Sequence, residues 1–124
     1  MSAPNIEFVV ADAVIAGIAA RAAAAVPGVS RLEPGVRGLV ARLARTGMRL
    51  WTGRDAAPSD GVRVMRDDDT LNIHVDLVIS AGCRAGEVGV TVQREVSRVV
   101  AEQTGVGVDA VTVVILDIEP EQSR

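Results

Sequence analysis

Hydrophobic and polar residues alternate most clearly in "LNIHVDLVI", residues 71–79. Leu71, Ile73, Val75, Leu77 and Ile79 fall on one side, with Asn72, His74, Asp76 and Val78 between them. A period of two over this length predicts a strand with one face on a core and a largely polar opposite face. Just upstream, "GVRVMR" (61–66) places Val62 and Val64 on one face of a second strand. Between them lies "DDDT" (67–70), whose Asp residues tolerate turn geometry and bond their own backbone, so the two strands read as a hairpin.

Helical spacing takes over in two places. Val14, Ile15, Ile18, Ala19, Ala22 and Val26 define an apolar face over 12–26. Asp12 sits in its first turn, where a carboxylate complements the helix dipole, and Pro27-Gly28 ends it. Val88, Val92, Val96, Val99 and Val100 form a stripe over 86–103, with Arg94, Glu95, Arg98 and Glu102 outward and Gly105 as the stop. Three further stretches are apolar without a clean period. "IEFVV" (6–10) suits an edge strand or a lead into the first helix, and "VSRLEPG" (29–35) a short strand closed by a Pro-Gly turn. "VDAVTVVILDI" (108–118) is apolar on both faces, which predicts a central strand ended by Pro120. The order is α-β-(basic segment)-β-β-α-β. The expected fold is α/β (α+β): a two-layer sandwich with a small mixed sheet of three to four strands and two helices on one face.

Length sharpens this to one domain, 1–124, with 36–60 as a basic insertion and 119–124 as a frayed tail. The chain can bury a core without disulfides or a structural metal. Phe8 and Trp51 are its only aromatics, which removes the stacking platforms that single-stranded nucleic acid requires. Net charge is −3, so the molecule as a whole does not attract nucleic acid. Glu7 and Asp12 precede the first arginine, Arg21, unlike the basic start of a secretory signal. No apolar run reaches the roughly 20 residues of a membrane span. With Cys83 the single cysteine, these features point to a soluble chain in the cytoplasm.

Charge is unevenly placed. Residues 36–54, "VRGLVARLARTGMRLWTGR", carry +5 and leave −8 for the rest. On a helical wheel Val36, Leu39, Val40, Leu43, Gly47, Leu50 and Trp51 share one side, and Arg37, Arg42, Arg45 and Arg49 the other. Gly38 and Gly47 each weaken such a helix by about 1 kcal/mol relative to Ala. Three readings stay open: a segment packed on the domain with solvated arginines, an interfacial segment with weak contact to an anionic membrane, or a surface for an acidic or membrane-anchored protein partner.

The remaining chemistry is sparse. Cys83 and Arg84 precede the second helix, whose N-terminus lowers a thiol's pKa, but the only histidine, His74, lies nine residues back along a strand. His74 and Asp76 share the polar strand face, two ligand types where a metal needs three or four. "DDDT" lacks the spacing and distal Glu of a calcium loop, and the glycines match no phosphate-binding fingerprint. No nucleophile, base and oxyanion donor can be assembled, so no enzyme activity, cofactor or metal is expected.

Taken together, "VPGV" (26–29) after a small-residue helix and "IHVDLVISAGCRAGEVGVTVQREVSRVVAEQTGVGVDAVTVVILDI" (73–118) resemble the alkaline shock protein family of Gram-positive bacteria. The second stretch is similar in its strand, Gly turn, "VQ…V" helix, "TG" stop and Val-rich final strand. The family usually has an aromatic before the turn glycine, where this chain has Ala81 before Gly82. The resemblance implies a non-enzymatic scaffold or adaptor in envelope stress, cytoplasmic or peripheral at the inner membrane face. It implies a membrane-anchored protein partner for some members; the residues themselves, not the resemblance, offer Arg37, Arg42, Arg45, Arg49 and Trp51 for partner or anionic-surface contact and His74 and Asp76 on the polar sheet face, with self-association as a further expectation. The alternative is a metal or iron–sulfur carrier that uses Cys83 in an oligomer.

Overall fold

The computed structural model describes residues 8–33, 61–67 and 69–120. Its elements are α1 (Asp12–Ala24), β1 (Val29–Leu32), β2 (Val62–Asp67), β3 (Thr70–Ser80), α2 (Ala85–Thr104) and β4 (Ala110–Glu119). The α+β two-layer arrangement is present: one mixed sheet and two helices. Leu71, Ile73, Val75, Leu77 and Ile79 join Ile15, Ala16, Ile18, Ala19 and Ala23 of α1 and Val88, Val92, Val96 and Val100 of α2 in one core. Both helices therefore cover the same face of β3, the face that alternation marks as apolar.

β3 is the centre of the sheet. β4 runs parallel along one side, from Asn72↔Ala110 to Ser80↔Glu119, and α2 supplies the crossover that parallel pairing requires. The other side of β3 is shared end to end by two strands. β1 pairs antiparallel from Val29↔Ile79 to Leu32↔Leu77, and β2 continues from Val62↔Val75 to Asp67↔Thr70. The junction falls at Asp76, whose N–H donates to the Gly61 carbonyl (2.8 Å) and whose carbonyl accepts from Glu33 N–H (3.2 Å). β1 and β2 are thus two halves of one edge, interrupted between Glu33 and Gly61. Gly61 has φ +83°, and a Cβ there would lie 2.9 Å from the Asp76 carbonyl oxygen and 3.0 Å from Glu33 N, so only glycine fits the break.

Three expectations need correction. β4 is an edge strand, since among the described residues it pairs with β3 alone. The apolar stripe of α1 holds at Ile15, Ile18, Ala19 and Val26 but not at Val14, which is exposed, while Ala16 and Ala23 are fully buried. An Ala-rich helix packed on the sheet and α2 also uses its small side chains, so a wheel that counts Val above Ala puts Val14 on a face that Ala16 and Ala23 fill. The expected frayed tail begins too early at 119, because Glu119 closes β4 and is bonded to Ser30 and Arg31. Residues 8–11 form neither strand nor helix and lead into α1. At the end of α2, Gly105 adopts φ +78° and its N–H bonds the Ala101 carbonyl at 2.9 Å, closing the helix as a left-handed cap.

Candidate functional site

The face of the sheet away from the helices carries the polar residues of β3. His74 Nε2 lies 2.8 Å from Asp76 Oδ1, both side chains projecting from alternate positions of the same strand face. Asp76 is only 6% exposed and Val78 beside it 1%. An open, solvated strand face does not describe this part of β3. Arg63 of β2 stands opposite His74 in the register, and Thr112 of β4 stands on its other side. The polar face is thus flanked by one cationic and one hydroxyl side chain at the level of the histidine.

The upper end of the same face is clasped by charge. Glu119 at the end of β4 accepts hydrogen bonds from Ser30 Oγ and from Arg31 Nη1 on β1. These strands flank β3 on opposite sides, and Arg31 pairs in register with Val78. The bonds from Ser30 and then Arg31 hold the Glu119 carboxyl below its usual range. Arg31 also reaches Glu33 at 3.4 Å, which places a second carboxylate at the point where the chain leaves the edge.

Arg37, Arg42, Arg45, Arg49 and Trp51 lie outside the described residues. The structure does place both flanks of the segment that holds them. Glu33 and Gly61 meet at the backbone of Asp76, so the two described flanks lie side by side at one position of β3. Sequence reading missed this junction. The signal was there: Val29 and Leu32 before the segment, and Val62 and Val64 after it, continue the inward pattern of one antiparallel partner of β3.

Cys83 is half-buried at the entrance to α2. It lines a surface depression of about 440 Å³ with Pro27, Gly28, Arg84, Val88 and Thr91. A Cβ on Gly28 would come within 3.2 Å of its sulfur and 2.9 Å of Val88 Cγ2, so the turn after α1 packs directly on the start of α2. His74 is bonded to Asp76 on the opposite sheet face, so the structure does not join the thiol to the imidazole. Among the described residues no group of three or more His, Cys, Asp or Glu side chains is arranged to hold a metal. On the outer side of α2, Arg98 bonds Glu95 (2.7 Å) and Glu102 (3.0 Å), a solvated charge network at helical spacing.

The arrangement defines a small α+β domain with one broken sheet edge, a clasped polar face and, among the described residues, no helix long and apolar enough to cross a membrane. The profile of the alkaline shock protein 23 family, described by a cell envelope-related function, matches residues 2–120, and the chain belongs to that family. Neither the curated proteins nor the solved structures give a match.

Proposed function

We propose that this member of a cell envelope-related family is a non-enzymatic scaffold or adaptor. It acts through protein partners at the cytoplasmic face of the membrane, and residues 36–54 make the contact. The observation that supports this reading is the junction at Asp76. The central strand holds Glu33 and Gly61 side by side, so both flanks of a net-basic stretch of sequence are anchored at one point of an otherwise acidic chain. Arg42, Arg45, Arg49 and Trp51 are the contact residues, offering guanidinium forks to carboxylates and one large aromatic anchor.

Crosslinking followed by pull-down from membrane and soluble fractions tests this. The native chain is expected to recover a membrane-associated protein, and a variant carrying Arg42→Gln, Arg45→Gln, Arg49→Gln and Trp51→Ala is expected to lose it. Equal recovery by both chains would put the contact elsewhere. Sedimentation with vesicles of defined anionic content separates the protein partner from the lipid, because direct lipid contact through a few arginines is weak and salt-sensitive.

A further inference from the structure

β4 is an edge strand built like an interior one. Among the described residues it pairs with β3 alone, yet from Ala110 to Leu116 it has no charge, no proline and no glycine. Soluble proteins usually blunt an edge with lysine, proline, charge or a bulge, because its unpaired N–H and C=O groups accept another strand. Here the bulge comes late. The register shift after Leu77 of β3 falls at Leu116, and Asp117 and Glu119 lie beyond it.

A groove of about 490 Å³ lies between this strand and α2, lined by Val90, Gln93, Arg94 and Ser97 of the helix and by residues 108–111. Gln93 Nε2 donates to the Val111 carbonyl at 3.1 Å and seats the helix beside the start of β4. On the helix side of the sheet Val90 is 53% exposed. Val114 is exposed on the other side, since Val113 and Ile115 pack toward the core. The open edge is therefore apolar on both of its faces.

Charge at its two ends differs in sign. Arg94 stands at the start of the edge, exposed and bonded to no carboxylate among the described residues. Its neighbour Glu95 is taken by Arg98 at 2.7 Å, and Asp109, the one acid lining the groove, accepts from Leu71 N–H at 2.7 Å. Asp117 stands at the far end, exposed, with the Ile118 N–H on its Oδ1 and no cation paired with it among the described residues.

We propose that this edge receives an extended segment of another protein, antiparallel to β4 and apolar at alternate positions, with a basic residue before that run and an acidic residue after it. Antiparallel pairing brings the end of the segment to the start of β4, where its carboxylate meets Arg94, and its beginning to Asp117. Side chains of one parity enter the groove against Val90, and those of the other lie beside Thr112 and Val114. Two nearer occupants carry the wrong charge. A second β4 centred on Val113 sets Asp117 opposite Asp109 at both ends of the seam, where like charges repel. Residues 36–54 bring arginines and no acid to Arg94. The surface is separate from that basic stretch, and the inference does not depend on the adaptor reading.

Titration of the isotope-labelled full chain with the capped peptide KVTVTVTE, followed by amide NMR shifts, tests it. The shifts are expected to concentrate on residues 110–116, with a Kd below about 1 mM. The charge-swapped peptide EVTVTVTK is expected to bind at least about threefold more weakly, because antiparallel pairing then sets like charges together at both ends. Arg94→Glu is expected to erase that preference, and Arg94→Glu with Asp117→Lys to invert it. N-methylation of one alternate set of peptide amides is expected to abolish binding, and of the other set to spare it, as a hydrogen-bonded edge requires. Absence of shifts along β4 at about 1 mM peptide overturns the proposal. So do shifts confined to β1 and β2, equal binding of the two peptides, a preference that survives Arg94→Glu, and a native chain whose β4 amides are already protected by a second copy.

Discussion

Arg31 on β1 and Glu119 at the end of β4 are bonded to each other across β3, the strand that separates theirs. Two strand spacings are about 10 Å, within the combined reach of an arginine and a glutamate. The bond therefore staples the short β1, which has only four residues and a bulge of its own, to the far side of the sheet. It also passes beside Val78, the apolar residue buried on the face without helices. Ser30 adds a second donor to the same carboxylate.

The staple makes stability depend on acid. Glu119 titrates below its usual value in the folded chain, because the Ser30 hydroxyl and the Arg31 guanidinium bond its charged form. A carboxyl with a depressed folded pKa contributes stability that is fully present above its unfolded pKa and is lost as pH falls through the lower folded value. Glu119→Gln is therefore expected to lower the Tm at neutral pH, and the gap to the native chain is expected to close below the ordinary carboxylate range. The group is exposed, so the effect is small beside that of a core substitution. A gap that stays constant from neutral to acidic pH would show that the charge at Glu119 is irrelevant to folding.

The broken edge makes a second prediction, and Gly105 is its control. Gly61 and Gly105 have nearly the same backbone, φ +83° and +78°. Around Gly105 a Cβ meets nothing within 4 Å, whereas at Gly61 it meets the Asp76 carbonyl and the Glu33 backbone. Gly105→Ala is expected to cost only the left-handed conformation, about 1–2 kcal/mol. Gly61→Ala adds displacement of a hydrogen-bonded backbone and is expected to cost about 2–3 kcal/mol. Urea unfolding of both variants reads the difference, and equal losses would mean that the junction at Asp76 yields without cost.

The core is ordinary in its sensitivity. Ile73 is fully buried between β2, β4 and the helices, and Ile73→Ala is expected to lose about 2–5 kcal/mol through transfer and cavity terms. Met65 lies on β2 with its side chain exposed, and Met65→Ala is expected to stay within about 0.5 kcal/mol of the native chain. Calorimetric Tm values for the pair check this. A loss at Met65 comparable with that at Ile73 would mean that the outer sheet face near β2 is covered.

How much of this was legible in the sequence depended on period. β3 and α2 repeat at two and at three to four residues over long spans, and their bounds and buried faces follow from pattern alone. α1 was found with most of its face, since Ile15, Ile18, Ala19 and Val26 are buried, but Val14 is exposed and Ala16 and Ala23 are buried, because in an Ala-rich helix small side chains fit a close-packed wall as well as Val does. β4 was found but set in the middle of the sheet, because residues 110–116 are as apolar as a strand with two neighbours. The end-to-end placement of β1 and β2 was not legible, since each half is too short to fix a register without the strand it pairs with. The His74–Asp76 contact follows from spacing of two on one strand face; the burial of Asp76 does not, because burial depends on what stands over the face.

The turn that opens the family-like pattern, Pro27-Gly28, provides a test of coupling between the two halves of the chain. A methyl group at Gly28 would stand 2.9 Å from Val88 Cγ2, the far end of a side chain on the first turn of α2. Gly28→Ala is expected to destabilise both through its positive φ and through this contact, whereas Val88→Ala removes the methyl groups that stand in the way. Their combination is therefore expected to cost less than the two single losses together, by about 0.5–1 kcal/mol in a double-mutant cycle. The backbone cost at Gly28 appears in both arms and cancels, so the coupling reads only the steric contact between the turn and α2. Strict additivity would mean that α2 moves away from the turn freely, and that Gly28 is set by its backbone conformation alone.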